Sequence, residues 1–350
     1  MSNPHRTSLT LALAIGAAAG IFAWRAHSEV DSPPINDLPN PYRTIRDWAQ
    51  PPGGGKWPAV TAVEVAPDGS IYVIDRCNAN SCAGRTEPPI LKFDASGKLL
   101  ESWGSGMFVF PHGATVDSDG NLWVTDEQIK DGKGYQVFKF DPHGKVLMTL
   151  GKAGVASDAP GLFDEPTDVA VAANGDIFVT EGHVGGTKGN DRVSKFSKDG
   201  KFIKSWGKTG SGHGEFNAPH TIAIDSQGRL FVGDRNNNRI EIFDQDGKYI
   251  DTWRQWGRPS GIFIAKDDTM YVADSESWGK DEPGWKKGIR IGSAKTAKVD
   301  FFIEDMESTT EDHSGAEGVG VDAAGNVYGA VVRRQMLEKH IKLTAPTGTR

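Results

Sequence analysis

The chain has 350 residues, 37% of them apolar, with 43 glycines, 19 prolines and a net charge of −7. That apolar content supports a continuous core, and the many turn formers, with no long helical period after the N-terminus, predict an all-β fold. A negative balance without a basic stripe argues against a nucleic-acid partner.

In chain order, Arg6 leads a polar start, Leu9 to Trp24 is almost wholly apolar, and Arg25 ends the run. This is the pattern of an export signal, and Ala26 and Ser28 supply the small residues for a cut after Ser28. Residues 1–28 are therefore predicted to be a signal peptide. An uncleaved anchor is the alternative, because the run is barely long enough to span a bilayer. Either way the domain is expected outside the cytoplasm, periplasmic or secreted, with no other membrane contact. Residues 29–41 follow as a linker, and 42–345 as the folded domain. The two cysteines, Cys77 and Cys82, share one loop. An oxidising compartment would let them pair, and two free thiols are the other reading. A structural zinc pair is disfavoured, since such a site needs four ligands.

From residue 63 onward one pattern returns: an apolar alternation, a polar turn usually ending in Gly, a second apolar strand, then usually an acid. It runs VEVAPDGSIYVID, ATVDSDGNLWVTD, VAVAANGDIFVTE, IAIDSQGRLFVGD, IFIAKDDTMYVAD and VGVDAAGNVYGAV. Strands of period two joined by a short Asp/Asn/Gly turn are hairpins. A second hairpin follows most copies, as in VSKFSKDGKFIKSWG, and two hairpins make one four-stranded blade. Six copies predict a six-bladed β-propeller. The last unit lacks its fourth strand, and YRTIRDW at 42–48 resembles KYIDTW at 248–253. The N-terminal strand is therefore expected to complete the last blade and close the ring, which removes an exposed edge.

Aligning the copies on Gly69, Gly120, Gly175, Gly228, Asp268 and Gly325 gives a column eight residues earlier: Thr61, His112, Thr167, His220, Ser260 and Glu317. First strands line a propeller's channel, so the column becomes a ring, with His112, His220 and Glu317 pointing inward from alternate blades. Two neutral imidazoles and a carboxylate converging on one point form a catalytic zinc set with an open position. Ordinary polar residues bonded to backbone are the bland reading, and His313 is a rival third ligand. Arg76 and Arg235 each follow the acid that ends a second strand, in IDR and GDR. They suit a carboxylate substrate, or salt bridges to neighbouring blades. His183, in the Gly-rich loop EGHVGGTKGNDR, is a candidate general base or a plain loop histidine.

These residues resemble a known family. The repeats look like NHL repeats, and the arrangement is similar to the peptidyl-α-hydroxyglycine α-amidating lyases. FPHGATVDSDGNLWVTD, EPTDVAVAANGDIFVTEG and FNAPHTIAIDSQGRLFVGDRNNNRI carry the resemblance, over about residues 55–335. It implies a lyase that splits a C-terminal α-hydroxyglycine into an amide and glyoxylate on a zinc held by three histidines. His112 and His220 match two ligands, Glu317 falls where the third histidine would be, and His183 falls where the family has a catalytic tyrosine. Arg76 and Arg235 match its active-site arginines. A structural calcium would use the carbonyls of Val63 and Ala114 with an aspartate at position 318, where this chain has Gly318.

The expectation is an exported, monomeric, metal-dependent lyase that cleaves a C–N bond in a hydroxylated carboxylate or peptide C-terminus. Zinc is the expected metal at His112, His220 and Glu317, with Arg76, His183 and Arg235 catalytic. A non-catalytic NHL propeller that binds a peptide, glycan or envelope protein is the alternative, and a calcium-dependent propeller lactonase ranks last.

Overall fold

The computed structural model describes residues 33–78, 80–184, 189–277, 284–307 and 314–343. The predicted signal segment and His313 lie outside them. Among the described residues, twenty-four strands form six four-stranded antiparallel sheets, five of them meanders of consecutive strands and the sixth completed by the first strand of the chain. The inner strands of blades one to six are Val60–Val65, Pro111–Val116, Pro166–Val171, Pro219–Ile224, Gly261–Ile264 and Gly318–Val321.

The hairpin turn after each inner strand needs a left-handed residue. Gly69, Gly120, Gly175, Gly228 and Gly325 supply it at φ between 77° and 88°. Asp268 takes the same conformation at φ 66°, which an aspartate tolerates better than most side chains. The six predicted turns are thus one turn repeated.

Apolar side chains fill the space between blades. Tyr72, Ile74 and Ile90 of blade one meet Leu122, Val124 and Phe140 of blade two in one cluster. Trp48, Trp57 and Phe93 meet Tyr328 and Leu337 where blade six adjoins blade one. No sheet buries both faces alone, so closure of the ring is a condition of stability.

The ring closes as the repeat count predicts. Tyr42–Ile45 pairs antiparallel with Met336–Lys342, in the register Tyr42 to Lys342 and Thr44 to His340. The predicted strand ran to Trp48; the observed one stops at Ile45, and Trp48 turns inward to meet Tyr328 edge-on, ring centroids 5.0 Å apart. The described part of the 29–41 segment straps blade five. Arg290 donates to Asn36 Oδ1 at 3.1 Å, Phe302 N donates to the Pro39 carbonyl at 3.2 Å, and Ile35 and Leu38 pack on the core beneath. Cys77 and Cys82 are joined by a disulfide, which fits a protein matured outside a reducing cytosol. No helix among the described residues is long and apolar enough to cross a membrane.

Candidate metal centre

Each residue of the predicted column stands near the head of an inner strand, beside the next blade's backbone. Thr167 Oγ1 donates to the Pro219 carbonyl at 2.7 Å. His112 Nδ1 lies 2.8 Å from the Thr167 carbonyl, and His220 Nδ1 lies 2.7 Å from that of Ser260. A carbonyl can only accept, so both rings carry their proton on Nδ1 and leave a lone pair on Nε2. Both Nε2 atoms are buried and have no protein partner. Burial holds both imidazoles well below the usual histidine range, reinforced at His112 by the charge of Arg76 and at His220 by that of Arg235. They are therefore neutral, as metal ligands must be.

The third imidazole is His183. One ring nitrogen or carboxylate oxygen per residue defines the cluster, and His112, His183 and His220 place theirs within 4.8 Å of one another. Ring centroids lie 4.5 Å apart for His112 and His220, 4.8 Å for His112 and His183, and 5.2 Å for His183 and His220. Glu165 Oε2 accepts the backbone N–H groups of His183 and Val184, each at 3.0 Å, and so anchors the loop. The His183 side chain is the most open of the three, 21% exposed. Three imidazoles converging from different blades are a donor set suited to zinc.

Glu317 stands beside this group. Its Oε1 is 3.6 Å from His112 Nε2 and 3.7 Å from an Arg76 guanidinium nitrogen, and is buried without a hydrogen bond. Burial raises its pKa while Arg76 opposes the shift. Glu317 thus stands beside the imidazoles without joining the three-residue group, and the loop adds a histidine that no column contains.

Arg76 and Arg235 flank the histidines. Arg76 stacks on Phe110 at 3.6 Å, donates to the Pro111 carbonyl at 3.2 Å and to Asn80 Oδ1 at 2.7 Å, and keeps one terminal nitrogen unpaired. Arg235 donates to the His183 carbonyl at 3.0 Å and faces Glu276 at 3.7 Å. Both are buried, so each would meet a carboxylate in a low-dielectric setting where an ion pair is strong.

Beneath the histidines a channel cavity of about 40 Å³ is lined by Glu64, His112, Asp168, His220 and Glu317. The calcium aspartate implied at position 318 has no room here. A Cβ on Gly318 would sit 2.6 Å from the Thr61 carbonyl oxygen. Asp168 is spent on structure, bonding Thr221 Oγ1, Ile222 N and Val169 N.

Residues 216–243 match the NHL repeat. They span blade four's first three strands and carry both His220 and Arg235. The chain is a six-bladed propeller that carries an NHL repeat in blade four. It is 39% identical over 158 residues to peptidylglycine alpha-amidating monooxygenase of Rattus norvegicus, covering 43% of this chain and 15% of that protein. It is 30% identical over 222 residues to peptidyl-alpha-hydroxyglycine alpha-amidating lyase 2 of Drosophila melanogaster, covering 59% of this chain and 51% of that one. The chain thus spans about half or less of these relatives' length. Among solved structures it resembles the virginiamycin B lyase of Staphylococcus aureus, with a TM-score of 0.55 over 86% of this chain and 99% of that one. At 15% identity that likeness concerns the fold alone.

Two features escaped the column alignment. His183 lies two residues past the acid Glu181, in a loop whose path no strand period determines. Glu127 shares a column with Arg76 and Arg235, one residue past its blade's acid. Extending the alignment by that residue brings it into view.

Proposed function

We propose that this protein is an exported, zinc-dependent lyase that cleaves the C–N bond of an α-hydroxylated, N-acylated glycine or a peptide C-terminus of that kind. The single observation that carries the reading is the cluster of three imidazoles whose ligand atoms lie within 4.8 Å of one another. The similarity to the amidating lyases supports the choice of reaction.

The buried, unpaired Nε2 atoms of His112 and His220 fit a metal ion better than any neutral alternative, since orphaned buried acceptors are costly. A zinc ion held by His112, His183 and His220 would supply Lewis acidity toward the substrate hydroxyl. The roles expected of Glu317 and His183 are thereby exchanged: His183 joins the ligands and Glu317 becomes the base. Arg76 and Arg235 hold the substrate carboxylate. Glu317 takes the hydroxyl proton, the oxygen's electron pair closes to a carbonyl, and the C–N bond breaks. The departing amide nitrogen takes up a proton, so the products are a primary amide and a 2-oxo acid. Arg76, between Glu317 and the carboxylate, keeps the base ionised before the transfer and neutralises charge during it.

Zinc content of the purified, zinc-supplemented protein and glyoxylate release from an N-acyl-α-hydroxyglycine test the reading. The wild type is expected to hold about one zinc per chain, and His112→Ala and His220→Ala to lose it with all turnover. Glu317→Gln is expected to keep the metal and lose about 10²–10⁴-fold in kcat. A wild type that stays metal-free and inactive leaves the binding-scaffold reading in its place.

A further inference from the structure

Each imidazole of the cluster has an oxygen of a neighbouring blade near its Nδ1, but the third contact differs. His112 and His220 rest on backbone carbonyls, those of Thr167 and Ser260. His183 Nδ1 instead faces the Glu127 carboxylate at 3.4 Å. Glu127 comes from blade two, whereas His183 comes from the loop after the second strand of blade three.

We infer that Glu127 is a positioning residue that turns His183 from a loop histidine into a metal ligand. The inference rests on the metal-dependent reading above. The two carbonyl-braced histidines sit at bulges near the start of inner strands, and each ring is fixed by its backbone acceptor. His183 sits on a loop held through its backbone by Glu165, so its ring needs a side-chain partner. Glu127 meets that need from a rigid base. The second strand of blade two continues past Asp126 to Lys130, whereas those of blades one, three, four and five end at Asp75, Glu181, Asp234 and Asp274. Glu127 lies at a bulge between Asp126 and Ile129 of this extended strand, and its N–H donates to the Phe110 carbonyl at 3.0 Å. The side chain is buried and its Oε2 has no protein partner, a costly placement that packing alone does not explain.

The consequence is chemical as well as geometric. A carboxylate behind Nδ1 fixes the tautomer that leaves Nε2 free and makes the ring a stronger donor than a carbonyl does. In blades one and four the equivalent column residue is Arg76 or Arg235, on the substrate side of the site. One column thus supplies both the expected carboxylate grip and, in blade two, the brace for a ligand.

The test uses the full chain, stripped of metal and titrated with Co²⁺ against a chromophoric chelator, with the visible cobalt spectrum as a second readout. Glu127→Ala is expected to weaken Co²⁺ binding about 10–100-fold and to change the d–d bands. Glu127→Gln, which retains an oxygen acceptor and the side-chain shape, should recover most of the affinity, so a folding defect cannot imitate the result. Adding Glu127→Ala to His183→Ala should cost little more than His183→Ala alone, because Glu127 acts through that one ligand. If Glu127→Ala and Glu127→Gln bind Co²⁺ as the wild type does while His112→Ala does not, the positioning role is wrong and the metal centre stands. If His112→Ala also binds normally, the metal reading itself fails.

Discussion

Two polar clusters, one at the closing seam of blade six and one at the channel mouth, are built to opposite standards. At the seam where blade six closes, Arg46 Nε donates to Glu338 at 2.9 Å and its NH1 to Glu307 at 2.6 Å. Arg334 pairs with Asp305 and donates to the Ser314 carbonyl, and Thr44 shares a 2.9 Å hydrogen bond with His340 Nδ1. At the channel mouth, by contrast, Arg76, His112, Glu127, His220, Arg235 and Glu317 each leave a buried polar atom without a protein partner. Burying polar atoms unpaired costs roughly 1–3 kcal/mol each. A fold that hydrogen-bonds its charges at the seam and leaves buried polar atoms without hydrogen bonds at the mouth has spent stability where a ligand can return it.

The sharpest way to break this contrast is to open the seam. Deleting residues 33–48 removes the strand that pairs with Met336–Lys342, the Trp48 wedge against Tyr328 and the strap on blade five. The expected outcome is loss of cooperative unfolding and of the whole near-UV signal, not a modest drop in Tm. A truncated chain that melts within a few degrees of the wild type would show that the seam is dispensable.

The seam was the more legible of the two regions, for a physical reason. A period-two pattern repeated six times specifies strands, turns and blade count together, and a missing fourth strand at one terminus demands a donor at the other. His112, His220 and Glu317 were legible for the same reason, because a column in a repeat becomes a ring in space. His183 was not. Its approach depends on a loop anchored by Glu165 and on a carboxylate in the preceding blade, and neither relation has a period. The resemblance pointed to His183 as the occupant of a catalytic position, yet it gave no sign that the ring would pack against His112 and His220.

At the mouth a smaller effect is expected from the arginines. Arg76→Lys keeps the charge but loses the planar fork, and Arg235→Ala removes it. Each should weaken binding of a carboxylate substrate or product by about 1.5–3 kcal/mol, roughly 10- to 150-fold. The rise should appear in KM or in product inhibition, with little change in Tm. Normal binding by both variants would make these arginines structural, and the mouth would then resemble the seam.

The last effect, which is read only as acid is added and which tests the seam's own exception, concerns His340. Its Nε2 is the one ring nitrogen of the seam without a hydrogen-bond partner. Burial, reinforced by the charge of Arg46, pulls its pKa down from 6.5 to about 4. Glu338 Oε2 lies 3.9 Å away and favours the imidazolium, but its partner oxygen is already engaged by Arg46, so desolvation prevails. The unfolded chain therefore binds a proton at this residue between pH 6.5 and about 4 that the folded chain refuses. Stability from the neutral ring is complete above pH 6.5 and drains away as the pH falls through that window. Its full size is about 3 kcal/mol, from the pKa difference. His340→Gln keeps a polar side chain that does not titrate. Denaturant unfolding of both proteins from pH 7 to 4 should show the wild type losing stability relative to the variant as acid is added. A constant difference across that range would mean that His340 is protonated in the native state, paired with Glu338 after all, and that the seam leaves no polar group unsatisfied.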